Sequence, residues 1–413
     1  MKKFAFIGAG SFIFTRNLVR DLLSFPAFAD CELALMDTDP ERLERITAAV
    51  RKINAAMGTH ATITPTQSRA EALSGADGVL CTVFNGGIDV WRYDIEIPMQ
   101  FGVDINIGDT RSVSGIFRAL RNIPLMLDIC RDIEKYCPNA VFLNYTNPMS
   151  MLCKAMQTET NVEVTGLCHS VQGTASMLAK WIGAPENEIS YTCAGINHQA
   201  WLLEIRDPQG NDLYPEIKRR AAARTEKHDD MVRYELMKRF GYYVTESSEH
   251  NAEYTPYFIK DKYPELIERF NIPLDEYPRR CIKHEENWAT LRVELTQNDK
   301  LTHERSKEYA CHIMEAMETN QPYKIGGNVR NDGYIENLPS DACVEVPCYI
   351  DGTGVHPTKV GKLPAHLAAM NASNIGVQLM TIEAAVTRDR KKIYQINHLT
   401  IKNTLTCPAA YLF

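Results

Sequence analysis

The chain reads as an α/β protein, with an N-terminal Rossmann-like doubly wound parallel sheet and a C-terminal α+β domain. Three observations predict this. Short apolar runs alternate with segments of helical periodicity through the first half of the chain. The first apolar run ends in Gly8-Ala9-Gly10-Ser11 and the second ends at Asp37. At 413 residues the chain is long for one core, so two domains are expected, 1–195 and 196–413. No low-complexity linker separates them, which is the pattern expected when the second domain completes a site on the first.

Lys3–Ile7 is a short apolar run and predicts a buried strand, Phe12–Ser24 carries apolar residues at helical spacing, and Glu32–Met36 is a second strand. Strand, glycine turn, helix, strand and terminal acid form the dinucleotide-binding pattern. Gly8 and Gly10 let the backbone approach a pyrophosphate, Ser11 opens the helix, and the helix N-terminus supplies positive partial charge. Asp37 is placed to accept hydrogen bonds from ribose hydroxyls, which favours NAD over NADP. Ile13 stands where the usual third glycine would be. Pro40 starts a helix through Met57, and Ala76–Val83 is another buried strand. It runs into Phe84-Asn85-Gly86-Gly87, so Asn85 should border the cofactor. A polar stretch, Asp104–Gly115, leads into a helix over Ile116–Tyr136, and Val141–Leu143 is the next strand. Asn147-Pro148 beyond it is either a plain turn or a place where Asn147 grips a sugar or a carboxamide.

In the second half, Glu188–Ala194 and Trp201–Arg206 read as strands. Asp207–Asn211 is turn chemistry, and predicts a hairpin from Trp201–Arg206 to a strand starting at Asp212–Tyr214. Arg239–Phe258 packs tyrosines and acids together without helical periodicity, as a segment lining a site often does. Cys281–Lys307 reads as mainly helical, Asn328–Leu338 and Cys343–Ile350 as strands, and Leu363–Val386 as a long helix.

The stretch richest in chemistry is Thr165–Thr174, where an apolar run delivers the pair Cys168-His169. His198 follows in Ala194–Trp201. Thiolate and imidazole are ligands for a first-row divalent metal, and two protein ligands would leave coordination positions open for a substrate. The competing reading is a buried free cysteine with a histidine packed beside it.

Composition narrows the class. A net charge of −7, with no basic stripe, argues against nucleic-acid binding. Twelve scattered cysteines with no CxxC pair fit reduced thiols in a cytoplasm. Lys2-Lys3 and the apolar residues after them are not read as a signal peptide, because Gly8 and Gly10 break the run. No run is long enough for a membrane span.

In order along the chain, GAGS, ALMDTDPERL, NYTNPM, GLCHSVQGT, CAGINH, FGYYVTESSEHNAEYTP, GNVRNDG and PTKVGKLP resemble family 4 of the glycoside hydrolases, from about Lys3 to Tyr394. The resemblance implies a fold like lactate and malate dehydrogenases, and dependence on NAD and a divalent metal, usually manganese. It also implies a glycosidase that does not use two carboxylates. NAD takes a hydride from carbon 3 of the sugar, the proton on carbon 2 is then lost to a tyrosinate, and carbon 1 parts from its leaving group by elimination. Water adds and the hydride returns. Carried onto this chain, the family pattern has Cys168 and His198 holding the metal and Asn147 positioning the sugar. Tyr242 is the base, with Tyr243 the runner-up, and His169 is the candidate acid. Phospho-sugar relatives commonly have Asp or Asn where His169 stands, so an unphosphorylated substrate is implied, melibiose-like α-galactosides in first place. The alternatives are α-glucosidase or α-galacturonidase activity, or an NAD-dependent sugar dehydrogenase. A cytoplasmic homodimer or homotetramer is expected. Two departures stand out: Ser112-Val113-Ser114-Gly115 replaces a usual Gly-Pro-Gly-Gly, and the residues after Gln395 lack an acidic helical continuation.

Overall fold

The computed structural model describes residues 1–186, 188–274, 276, 279–283 and 305–401. The N-terminal half alternates strands and helices: β1 (Lys3–Ile7), α1 (Phe12–Leu23), β2 (Glu32–Met36), α2 (Pro40–Met57), β3 (Thr62–Thr66), α3 (Arg69–Leu73), β4 (Gly78–Cys81), α4 (Gly87–Met99), α5 (Ser112–Tyr136), β5 (Val141–Asn144), α6 (Met149–Glu159) and β6 (Val164–Leu167). These six strands are parallel, in the order β3-β2-β1-β4-β5-β6. That is the strand order of a dinucleotide-binding sheet.

The period of two along β1 sorts its side chains to the two faces. Phe4 and Phe6 pack with Leu18 and Leu22 of α1 and Ile46 and Val50 of α2. Ala5 and Ile7 pack with Ile123 and Met126 of α5. Helices on both faces leave the central strands buried throughout, which is why they read as unbroken apolar runs. β3 is the edge strand, half polar and bearing Pro65, and shows no such run. Helix α2 has its predicted start: Pro40 occupies the first turn and the Asp39 carboxylate accepts from the backbone N–H of Glu41 and Arg42 at 2.9 and 3.0 Å.

The second half comprises α7 (Ser170–Ile182), β7 (Ser190–Ile196), β8 (Gln199–Arg206), α8 (Tyr214–Ala223), α9 (Met231–Phe240), β9 (Tyr243–Val244), α10 (Ser248–Tyr254), α11 (Glu265–Arg269), α12 (Tyr309–Thr319), β10 (Tyr323–Arg330), β11 (Cys343–Asp351), β12 (Gly354–Pro357), α13 (Ala365–Thr387) and α14 (Arg390–Ile401). Its strands extend the parallel sheet antiparallel, in the order β10-β11-β7-β8-β9, with β12 on β11. The junction pairs Gly327 with Leu167 and Asn328 with Gly166. One sheet therefore runs through both halves of the chain and brings β10, β11 and β7 beside the strand that precedes Cys168.

Several sequence expectations change. The hairpin is β7–β8, turning at Asn197-His198, and Tyr214 begins a helix rather than a strand. The acid-rich segment 239–258 contains α10, whose N-cap Ser247 side chain accepts from His250 N at 3.4 Å. A seven-residue helix is too short to print a period. Helix α5 begins at Ser112, four residues before the predicted start. Most of the helix expected over Cys281–Lys307, and the tail beyond residue 401, lie outside the described residues. Among the described residues, no helix is long and apolar enough to cross a membrane. Among the described residues the cysteines form no disulfide, and all but Cys281 are buried.

Candidate active site

The sheet reverses its winding between β1 and β4, and a cleft of about 820 Å³ opens beyond their carboxyl ends. Gly8, Gly10, Ser11, Asp37, Asn85, Gly86 and Gly87 line it. The backbone N–H groups of Gly8 and Ala9 donate to Met36 O at 3.0 and 2.9 Å, closing the turn against β2. Gly8 has φ +86°, and a Cβ there would lie 2.9 Å from Val83 N. A Cβ on Gly10 would lie 2.7 Å from Asp37 Oδ2, the atom that accepts from Gly10 N at 2.7 Å. Both positions are therefore closed to side chains, which leaves bare backbone facing the cleft. Asp37 also accepts from Asp39 N at 3.0 Å through Oδ1. This cradle fits a dinucleotide. Ile13 is exposed, so the missing third glycine costs no packing there.

A second cavity, of about 290 Å³, adjoins the cleft and shares Ser11, Thr82, Val83 and Phe84 with it. Cys168, His169, His198, Asn147, Asp109, Glu246 and His250 line it. Cys168 follows β6, and His198 sits in the β7–β8 turn with φ +64°. Asp109 lies in the loop before α5, Glu246 between β9 and α10, and His250 on α10. Cys168 Sγ is 3.9 Å from Glu246 Oε2. His198 Nε2 lies 4.0 Å from Glu246 Oε2, while its Nδ1 lies 3.9 Å from Asp109 Oδ2 and 3.4 Å from the Tyr254 hydroxyl. His250 spans the two acids, with Nε2 3.6 Å from Asp109 Oδ2 and Nδ1 3.4 Å from Glu246 Oε1.

Burial and charge set the protonation of this cluster. Burial works against charge on Asp109, yet His198 and His250 beside it hold its carboxyl below the usual range. Burial likewise opposes a charge on His250, but Glu246 and Asp109 raise it to about 9. Burial pushes the Cys168 thiol well up, with Glu246 adding to it, and lowers His198. Thiol sulfur, imidazole nitrogen and carboxylate oxygen of Cys168, His198 and Glu246 fall within 4.8 Å of one another, as do the ligand atoms of Asp109, His198 and His250. This donor set fits a divalent first-row metal. The two edges of His198 divide the roles: Nε2 faces Glu246, and Nδ1 is steadied by Asp109 and Tyr254 from behind.

The departing loop keeps its turn. Ser112 adopts φ +65°, Ser114 Oγ donates to Gly108 O at 2.6 Å, and a Cβ on Gly115 would sit 2.1 Å from Thr110 C. Glu253 accepts from the backbone N–H of Asn106, Ile107 and Gly108 at 2.5, 2.8 and 3.1 Å. Those contacts hold the loop that carries Asp109.

The structure brings together Cys168, His198, His169 and Asn147, beside the cleft holding Gly8, Gly10, Ser11, Asp37 and Asn85. Asn147 Oδ1 accepts from Met149 N at 3.1 Å, and Asn85 Nδ2 donates to Arg121 O at 3.3 Å. His169 is 61% exposed at the cavity mouth, its Nδ1 3.6 Å from Glu308 Oε1. Tyr242 is a correction. It lines a different hollow with Asp212, Tyr214 and Lys218, and its ring meets Tyr214 edge-on and His366 at a tilt. The two-residue strand β9 fixes this: Tyr243 and Val244 pair with β8 at the end of the sheet, and Tyr242 directly precedes them. Tyr243 is no substitute, being buried with its hydroxyl donated to the Asp230 carboxylate. Among the described residues, Tyr145 is the tyrosine that lines the cavity. Asp109, Glu246 and His250 carry no motif of their own in the sequence, although Asp104–Gly115 is polar and Arg239–Phe258 is rich in tyrosines and acids without helical periodicity.

Residues 3–184 match the family 4 glycosyl hydrolases, and residues 193–400 match the C-terminal domain of the same family. The chain belongs to family 4 of the glycosyl hydrolases. It is 52% identical over 397 residues to an alpha-galactosidase of Bacillus subtilis, covering 96% of this chain and 92% of that protein. A putative glucosidase from Bacillus subtilis matches with a TM-score of 0.86 at 25% identity, covering 100% of this chain and 98% of the other. A 6-phospho-alpha-glucosidase from gut microorganisms, solved with NAD and Mn2+, matches at 0.80 and 21% identity over 99% and 95% of the two chains. Malate dehydrogenase from Plasmodium falciparum matches at 0.52 and 12% over 94% and 99%. The dehydrogenase-like fold that the sequence implied is therefore present.

Proposed function

We propose that this family 4 enzyme is an α-galactosidase that uses NAD and a divalent metal, manganese first, on melibiose-like substrates. The observation that carries the reading is the adjacency of two sites. A glycine-lined dinucleotide cleft opens onto a cavity whose walls hold a thiol, three imidazoles and two carboxylates. A cofactor that exchanges hydride and a Lewis acid that acidifies the neighbouring carbon are needed at one sugar, and these sites stand side by side. The likeness to an alpha-galactosidase at 52% identity supports the choice of sugar.

Cys168, His198 and Glu246 would hold the metal, which when bound supplies Lewis-acid polarisation of sugar oxygens. The chain's own groups do the rest. Asn147 holds the sugar, and Asp37 the ribose. His250 stands behind the metal-holding set, its Nδ1 3.4 Å from Glu246 Oε1 and its Nε2 3.6 Å from Asp109 Oδ2, and positions both carboxylates. His169 at the mouth is placed to protonate a leaving group that departs toward solvent. The division at 195/196 is a proposal, and it falls inside β7. So is a cytoplasmic homodimer or homotetramer, supported by exposed Tyr93, Ile97 and Phe117 on α4 and α5.

The test is hydrolysis of p-nitrophenyl α-galactoside, α-glucoside and α-galacturonide with NAD, manganese and reductant, omitting each in turn. Turnover on the galactoside, lost without NAD or metal and without net NADH, is the expected result. NADH accumulating one-for-one with product would make the protein a dehydrogenase instead.

A further inference from the structure

Helix α5 presents two arginines one turn apart, and they are treated differently. Arg121 has a carboxylate: its Nη1 donates to Asp94 Oδ1 at 2.8 Å, and its Nη2 to Asp94 Oδ2. Arg118 has none. Its guanidinium carbon sits 4.2 Å from the centroid of the Trp91 ring and 5.5 Å from that of Phe84. These rings hold the cation by its face. Among the described residues it makes no hydrogen bond or ion pair, although it is only 8% exposed and its Nη1 is buried without an acceptor. A buried guanidinium with unused N–H groups is costly unless something arrives to accept them.

What arrives is limited by where Arg118 stands. It lines the smaller cavity with Asn147, Cys168, His198 and Asp109, and does not line the dinucleotide cleft. Its charge is felt by Asp109, whose carboxyl it helps to keep ionised. The missing acceptor therefore belongs to the molecule that fills the smaller cavity. Resting on the reading of that molecule as an α-galactoside, we propose that Arg118 is a substrate-binding residue whose guanidinium donates to oxygens on adjacent carbons of the sugar. Its planar fork matches a pair of neighbouring oxygens, and a lysine on the same stem does not. The aromatic clamp fixes the plane of the fork in advance, so little side-chain freedom is lost when the sugar binds.

The test compares the wild type with Arg118→Met and Arg118→Lys, using p-nitrophenyl α-galactoside for turnover and free galactose and galacturonate as competitors. NAD affinity is read separately by fluorescence titration, and folding by the melting temperature. Wild-type turnover must be seen first; its absence would refute the functional reading itself and not the role of Arg118. The expected result is a rise in KM for the galactoside and in Ki for galactose of tenfold or more in both variants. NAD affinity should stay within about twofold of wild type. Should the methionine variant fail to fold, the lysine variant, which keeps charge and stem, carries the same expectation. Sugar constants within twofold of wild type, or a loss matched by an equal loss of NAD affinity, would overturn the assignment. So would a wild type inhibited far more strongly by galacturonate than by galactose, with that preference abolished in Arg118→Met. Arg118 would then be a carboxylate receptor.

Discussion

Glu345 offers a prediction that can be worked from the structure alone. It lies on β11 opposite Asn328 of β10 and Gly195 of β7, and is 1% exposed. Asn328 Nδ2 donates to its Oε1 at 3.2 Å, and its Oε2 has no partner. Burial raises its carboxyl from 4.5 to about 8, with the Glu246 charge adding and Asn328 partly opposing. The thiols of Cys168 and Cys193, also facing it, are pushed well up by burial and stay neutral. The sign follows from proton counting. Between 4.5 and about 8 the folded chain keeps a proton that the unfolded chain has released, so stability is full below 4.5 and falls as pH rises. The window spans about 3.5 units, and at about 1.4 kcal/mol per unit the total approaches ~5 kcal/mol. Glu345→Gln keeps the shape and the Asn328 hydrogen bond but cannot ionise. The metal-free, NAD-free protein in a chelator should therefore show equal guanidinium midpoints for the two forms near pH 4.5. Above pH 8 the variant should be more stable by several kcal/mol. Titrations of groups that Glu345 does not touch cancel in the difference, and that of Glu246, whose charge adds to the shift, adds to it. A difference that stays constant from pH 5 to pH 9 would refute the argument that this carboxyl is folded in neutral form.

Three further outcomes follow from the site. Cys168→Ser should weaken manganese binding, measured by calorimetry, by at least the roughly 10–100-fold that losing an outer partner of a metal ligand costs; NAD affinity should remain near wild type. Gly10→Ala puts a methyl 2.7 Å from Asp37 Oδ2. It should weaken NAD binding tenfold or more and cost about 1–3 kcal/mol of stability, as overpacking does; a titration with unchanged NAD affinity would contradict the cradle. Tyr242→Phe should keep activity within about threefold, because its ring stands in another hollow; loss of several orders of magnitude would show that Tyr242 reaches the sugar after all.

The sequence by itself determined the Rossmann-like half of this protein. Buried parallel strands, a glycine turn that no side chain can enter and an acid at the end of β2 are local features, legible within a few residues of one another. It also located Cys168 and His198, because each follows directly on an apolar strand. What it did not determine is which residues meet them. Asp109, Glu246 and His250 come from a loop tied down by Glu253, from a turn at φ +66° and from a seven-residue helix. None of these has a period, and their meeting depends on antiparallel strands pairing across more than a hundred residues. Tyr242 failed for the same reason. Its neighbourhood is set by the pairing of β9 with β8, and the two-residue length of that strand leaves no pattern to read. Local chemistry is written in the chain; the company each group keeps was decided only when the sheet continued past β6 and folded the second half over the first.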